Sequence, residues 1–177
     1  MLFRSASNID LAGAEIEMVS LVSRENRLKN ALEKMEMSYD YVFIDCPPSL
    51  GLITLNAFTA ADSVIVPIQC EYYALEGLGQ LVNTIKLVKK HLNPYLEIEG
   101  VLLTMYDSRT KLSSQVAGEV AKYFGERVFS TVIPRNIRLS EAPSHGLPIS
   151  MYDPLSKGAR TYKKLAKELI NKNKENK

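Results

Sequence analysis

Four short apolar runs rich in valine and isoleucine, Tyr41–Asp45, Ser63–Gln69, Gly100–Met105 and Val128–Ile133, alternate with the longer helical-period segments Leu52–Ala61, Ala74–His91 and Ser113–Phe124. No other feature limits the fold as much. Within Ala74–His91 the apolar residues Leu75, Leu78, Val82, Ile85 and Val88 recur at the spacing of one helix face. Near-continuous apolar strands alternating with helices predict an α/β fold: a mostly parallel sheet with helices on both faces. Right-handed crossovers then put every strand's carboxyl end on one edge, where ligands bind in such sheets. Asp45, Gln69, Thr104 and Pro134 fall near that edge.

The chain's 177 residues suffice for one core, and 46% hydrophobic and 24% charged residues are ordinary for a globular protein. No apolar run is long enough to span a bilayer, and the start lacks the layout of a secretory signal, so the expected location is cytoplasmic. In that compartment Cys46 and Cys70, each ending an apolar run, are expected as reduced, buried thiols. His91 and His145 stand far apart with no Cys/His cluster, so a zinc site is not expected. The net charge of +2 is unevenly spread: Lys157–Lys177 holds eight Lys/Arg against two Asp/Glu. That basic end fits either a solvated helix face with a frayed tail or a surface that meets an anion.

One acid stands out. In "YDYVFIDCPPSLG", Tyr39 to Gly51, the apolar run ends at Asp45 and two prolines follow directly. An unpaired charge at the end of a buried strand is expensive, so such an acid serves a ligand or caps a helix, and here Pro47 and Pro48 separate it from the next helix. As a Walker-B-type acid it would hold Mg²⁺ through a water, opposite a phosphate-binding loop. Such a loop needs glycines whose N–H groups wrap phosphates, followed by Lys and Ser/Thr. None of the nine glycines has that spacing: Gly79 is followed by "QLVNT", and Gly158 leads into "ARTY".

The phrases "DYVFIDCPPSLGLITLNAFTAADSVIVPIQCEYYALEGLGQL", "IEGVLLTMYDSRTKLSSQV" and "TVIPRNIRLSEAPSHGLPISMYDPLSKGARTY" closely resemble the ParA/Soj family of bacterial chromosome- and plasmid-partitioning ATPases. The likeness runs from about Asn8 to Ile170, which implies a partial P-loop NTPase domain over 8–170 and a basic tail over 171–177. Family members are deviant-Walker ATPases that bind ATP and Mg²⁺, dimerise around ATP, bind DNA non-specifically and answer to a ParB/Spo0J-type centromere-binding partner. Their location is the cytoplasm, on the nucleoid. The resemblance implies that Asp45 is the Walker-B acid holding Mg²⁺ through water, and that Pro47, Pro48 and Ser49 form the switch loop. It implies that Pro134, Arg135 and Asn136, with Thr104 and Met105 beside them, form the adenine-binding wall. Arg109 and Arg138 match positions that present arginines to DNA phosphates, a task suited to a forked, permanently charged group. A salt bridge to Glu141 is the alternative role for Arg138.

In this family the P-loop, its lysines and the water-positioning Asp precede the segment matched here. The chain therefore resembles the C-terminal two-thirds of a partition ATPase, without the N-terminal P-loop strand. The opening "MLFRSAS" shows no family likeness and reads as a false start, a truncated gene model or a junction. Without its neighbouring strand, "YVFID" is expected to be an exposed aggregation hazard, so a stable isolated monomer is not expected. Two other readings stay open. One is a non-catalytic DNA- or partner-binding module that keeps Arg109, Arg138 and the basic tail. The other is a MinD-like membrane-cycling ATPase, since Tyr162, Leu165, Ala166, Leu169 and Ile170 share a helix face beside Lys163, Lys164 and Lys167. That stripe is narrow and lacks Phe and Trp, which favours packing on the sheet over stable membrane association.

Overall fold

The computed structural model describes residues 10–36, 39–47, 49–72 and 76–175. They form helices α1 (Asp10–Met18), α2 (Arg27–Glu33), α3 (Leu52–Ala60), α4 (Glu76–His91), α5 (Lys111–Phe124), α6 (Ile137–Glu141), α7 (Ile149–Tyr152) and α8 (Lys157–Glu175), with strands β1 (Ser63–Gln69) and β2 (Glu97–Thr104). The chain divides into two units, Met1–Val64 with Gly79–Glu97, and Ile65–Leu78 with Ile98–Lys177.

The first unit is helical and is held by a few buried polar groups. Gly51, the residue before α3, offers no side-chain cap, and the Glu15 carboxylate of α1 instead accepts the Leu52 N–H at 2.8 Å. A Cβ at Gly51 would stand 1.8 Å from that oxygen, so a larger residue there would have to displace the Glu15 carboxylate from this position. Asn56, 4% exposed on α3, accepts the Leu28 N–H at 3.1 Å and donates to the carbonyls of Arg24 and Leu52, each at 2.9 Å. Asn93 donates to Phe58 O and Ala61 O, which secures the end of α3 against the turn after α4. On α4, Val82, Ile85 and Val88 are buried, as their spacing predicts, whereas Ala74 and Leu75 lie outside the described residues.

The run Tyr41–Asp45 is not a strand. Tyr41, Val42 and Phe43 are 43%, 56% and 72% exposed, and the Tyr41 and Phe43 rings stack on each other 6.2 Å apart. An apolar run becomes a parallel strand only where a neighbour pairs its N–H and C=O groups and covers its faces. Among the described residues no strand borders this one.

The second unit carries the sheet. β1 and β2 run side by side, and at their carboxyl ends the Cys70 N–H donates to Thr104 O at 3.0 Å. Val101, Leu102 and Leu103 are all buried, so β2 is covered on both sides. The predicted strand Val128–Ile133 lies beside β2 but makes only isolated parallel bridges, Val101 with Val128 and Tyr106 with Pro134. Phe129 N and Ile133 N donate to Val101 O and Leu103 O, each at 2.9 Å, yet the N–H groups between them turn away. Glu168 of α8 takes two of them, accepting from Ser130 N at 2.6 Å and Thr131 N at 3.0 Å. A side chain thus replaces the strand ladder at its midpoint. Leu102, Phe129 and Ile133 form the core with Ile65, Leu139, Leu165 and Leu169. Each fully buried side chain of this kind contributes about 1.5–3 kcal/mol. The helix continues through Glu175, so residues expected as a loose tail are helical; Asn176 and Lys177 lie outside the described residues.

Candidate functional site

Within the first unit, Asp45 follows the exposed run and is itself exposed, as are Pro47 and Ser49; Pro48 lies outside the described residues. Burial, and then the Asp45 charge, push the Cys46 thiol above its usual range. Ser49 contributes its carbonyl, which accepts the Thr54 hydroxyl at 2.6 Å and steadies the entry to α3. An exposed carboxylate before a proline-bearing loop can hold a hydrated cation.

Within the second unit the other predicted residues meet at the carboxyl ends of β2 and of the segment beside it. Thr104 closes β2, its hydroxyl donating to Ile68 O at 3.2 Å. Met105 follows with φ of 51°, in the left-handed region, and the turn carries Tyr106 alongside Pro134. Tyr106 N donates to Ile133 O at 3.1 Å and Arg135 N donates to Tyr106 O at 3.0 Å. This lock holds Thr104, Met105, Pro134 and Arg135 in one place. Asn136 comes next as the cap of α6, its Oδ1 accepting Arg138 N at 3.0 Å. The Arg135 guanidinium reaches Glu71 at 3.2 Å.

Both predicted arginines project from this edge, and both are held by acids. Asp107 takes the Arg109 guanidinium side-on, with Nε to Oδ1 at 2.9 Å and Nη2 to Oδ2 at 2.8 Å, while Oδ1 also accepts Arg109 N at 3.0 Å. The side-chain hydrogen bond from Arg109 leads in holding Asp107 down to about 2, and the Arg135 charge adds to it. Even so, Arg109 is 86% exposed. It lines an open cleft of about 340 Å³ with Ser108, Thr110, Lys111, Ser114 and Gln115 at the start of α5. Thr110 caps that helix, accepting Ser113 N at 3.3 Å.

Arg138 donates to Glu141 at 2.8 Å and lies 3.5 Å from Asp153. Tyr152 hydroxyl donates to the same Glu141 oxygen at 3.1 Å, and the Tyr152 ring stacks on His145. Arg138 first, then Tyr152, hold the Glu141 carboxyl below its usual range. The Glu141 partner follows from helical spacing. Asp107, Glu71 and Asp153 did not stand out in the sequence as partners, although an acid two residues before Arg109 in a turn is a readable cue.

These residues fit part of what a magnesium nucleotide requires. In the first unit, Asp45 is an exposed carboxylate of the kind that could take a metal-bound water; in the second, Met105, Pro134 and Asn136 are apolar and amide groups of the kind a base could meet. The phosphate wrap is not supplied by any glycine of this sequence, and among described glycines only Gly125 and Gly146 have positive φ, far apart from one another.

Comparison with known proteins gives the same direction. Residues 4–98 match the AAA domain family. The sporulation initiation inhibitor protein Soj of Bacillus subtilis (strain 168) is 66% identical over 163 residues, which are 92% of this chain and 64% of that protein. The chromosome-partitioning ATPase Soj of Treponema pallidum (strain Nichols) is 54% identical over 169 residues, 96% of this chain and 67% of its own length. Among solved structures, a cobyrinic acid a,c-diamide synthase from Mycobacterium smegmatis with bound ADP and magnesium superposes with a TM-score of 0.81 at 42% identity, covering 97% of this chain and 63% of that one. The chain thus spans about two-thirds or less of the proteins it matches, and shares their α/β P-loop NTPase-like fold. On this sequence identity, carried along nearly its whole length, the chain belongs to the ParA/Soj family of chromosome-partitioning ATPases.

Proposed function

We propose that this chain is the C-terminal two-thirds of a partition ATPase, in which an ATP-bound homodimer binds DNA without regard to sequence and a ParB/Spo0J-type partner stimulates hydrolysis. The observation that carries this reading is the gathering of Thr104, Met105, Pro134, Arg135 and Asn136 at one strand-end edge, in a chain 66% identical to Soj. In the complete protein, 8–170 belongs to a mostly parallel sheet with helices on both faces, and 171–177 is a basic tail. Mg²⁺ and ATP supply the phosphoryl group and its charge neutralisation. Asp45 holds the water of the metal, Pro47, Pro48 and Ser49 respond as the switch loop, and the edge around Pro134–Asn136 receives the base. Arg109 and Arg138 face DNA phosphates.

A cytoplasmic, nucleoid-bound location accompanies this function. Among the described residues no helix is long and apolar enough to cross a membrane. Leu165 and Leu169 of α8 are packed on the Leu102, Phe129 and Ile133 cluster, which favours a packing helix over a MinD-like lipid-facing one.

The test joins this chain to the N-terminal third of the Bacillus relative and measures Mg²⁺-dependent ATP turnover. Asp45→Ala is expected to lower it by about 100-fold or more, the scale of losing a preorganised charge contact in phosphoryl transfer. Wild-type turnover in that variant would reduce Asp45 to a structural acid and remove the metal role.

A further inference from the structure

Arg109 and Arg138 are the two side chains assigned to DNA phosphate, yet neither stands free in the second unit. Each is already engaged by a carboxylate, Arg109 by Asp107 and Arg138 by Glu141 with Asp153 behind it. Arg135, between them in sequence, is engaged by Glu71. Counting Lys111 at the start of α5 with the three arginines, these four described cations are matched in number by Glu71, Asp107, Glu141 and Asp153. The charges of these named groups cancel. A nearly neutral surface exerts little pull on a polyanion, because attraction and counterion release both scale with uncompensated positive charge.

The geometry of the pairs shows what a phosphate would meet. Asp107 occupies Nε and one N–H of Nη2, leaving the outer N–H groups of the Arg109 fork facing solvent. Phosphate can approach those outer donors, but it then stands close to a carboxylate of its own sign. The ion pair itself is exposed and weakly stabilising, so exchanging carboxylate for phosphate meets a low barrier. The main effect of the acid is therefore on affinity rather than on fold.

We propose that Asp107 and Glu141 are affinity-limiting residues for DNA, built-in counter-charges that phosphate must overcome before Arg109 and Arg138 engage. This assignment rests on the DNA reading above. It gives these acids a role that a merely structural ion pair does not have: removing their charge while keeping their acceptor oxygen should tighten binding. Asp107→Asn keeps Oδ1 for the Arg109 N–H and Nε, and Glu141→Gln keeps an acceptor for Tyr152 and Arg138.

The test uses the joined protein with ATP and Mg²⁺ and a random-sequence DNA duplex, read by fluorescence anisotropy across a salt titration. Asp107→Asn and Glu141→Gln should each bind about three- to tenfold more tightly at low salt, with the advantage shrinking as salt rises. Arg109→Ala should weaken binding and flatten the salt dependence by about one phosphate contact per subunit. In an Asp107→Asn, Arg109→Ala double variant the gain should fall well below that seen with Arg109 present, since a counter-charge matters through the arginine it restrains. An Asp107→Asn protein that binds equally or more weakly, while Arg109→Ala still weakens binding, overturns the proposal and makes Asp107 a support that orients the arginine. An undiminished gain in the double variant also overturns it, by reducing the effect to net charge. If Arg109→Ala and Arg138→Ala both bind as wild type, the DNA reading itself falls and this proposal with it.

Discussion

Asn56 shows how one residue can decide a local fold that the sequence pattern leaves blank. It sits on an apolar helix face, 4% exposed, and ties α3 to the backbone at Arg24 and Leu28 through hydrogen bonds of 2.9 and 3.1 Å. Removing its amide takes the side-chain partner from the Leu28 N–H and the Arg24 carbonyl at a part-buried site, and each buried polar group left without a partner costs about 1–3 kcal/mol. Asn56→Ala is expected to lower the stability of the first unit by about 2–4 kcal/mol, seen as a lower urea midpoint with unchanged slope. A variant with the wild-type midpoint would mean that water replaces the network at no cost. The helix around Asn56 is legible in the sequence from its spacing, but the partners are not, because they lie 28 and 32 residues away and share no local motif with it. The same distinction separates Arg138 from Arg109. Glu141 is visible one helical turn from Arg138, whereas the grip of Asp107 on Arg109 depends on the turn that α5 closes through Thr110.

At the scale of elements, burial decides which apolar runs become strands. Ser63–Gln69 forms β1 with the predicted bounds, and Gly100–Met105 matches β2 to within a few residues, since both have neighbours that pair and cover them. Tyr41–Asp45 has the same composition and no bordering strand among the described residues, so it stays exposed. Val128–Ile133 is the intermediate case: it lies beside β2, but Glu168 from α8 takes two of its N–H groups. Burial pushes the Glu168 carboxyl up, and the hydrogen bonds from Thr131 and Ser130 outweigh it, leaving the group below its usual range. A carboxyl lowered in the folded state contributes stability above its unfolded value, and that contribution is lost as pH falls through the lowered folded value. Glu168→Gln keeps one acceptor oxygen and replaces the other with a donor that faces a donor, so it is expected to cost about 1–3 kcal/mol at neutral pH. The loss should shrink in acid, where the wild-type carboxyl is itself protonated. Denaturation curves at neutral and acidic pH check both statements, and an equal cost at both would remove charge from the explanation.

For the whole chain, family and fold class were legible because long phrases such as "PRNIRLSEAPSHG" and the alternation of strand and helix survive without their context. How firmly each predicted nucleotide-site residue is held was not, because the two groups of residues are fixed by different physics. Residues 104–105 and 134–136 are held together by backbone hydrogen bonds within one unit, and such contacts form wherever the segment folds. Asp45 depends on the strand before it being paired, and here Tyr41, Val42 and Phe43 face solvent. An acid on an unpaired run can attract a hydrated metal, but it has no fixed distance to a phosphate, and catalysis of phosphoryl transfer rests on such positioning. None of the nine glycines in this sequence supplies the phosphate wrap. The chain as given is therefore expected to hydrolyse no ATP above background, and to self-associate through the exposed Tyr41–Phe43 run as its concentration rises. Phosphate release and sedimentation velocity over a concentration series measure the two effects, with Tyr41→Ser, Phe43→Ser as the control that should reduce association without creating turnover. Turnover in clean material that vanished on Asp45→Ala would mean that another part of this chain wraps phosphate and that an exposed run can still position Asp45.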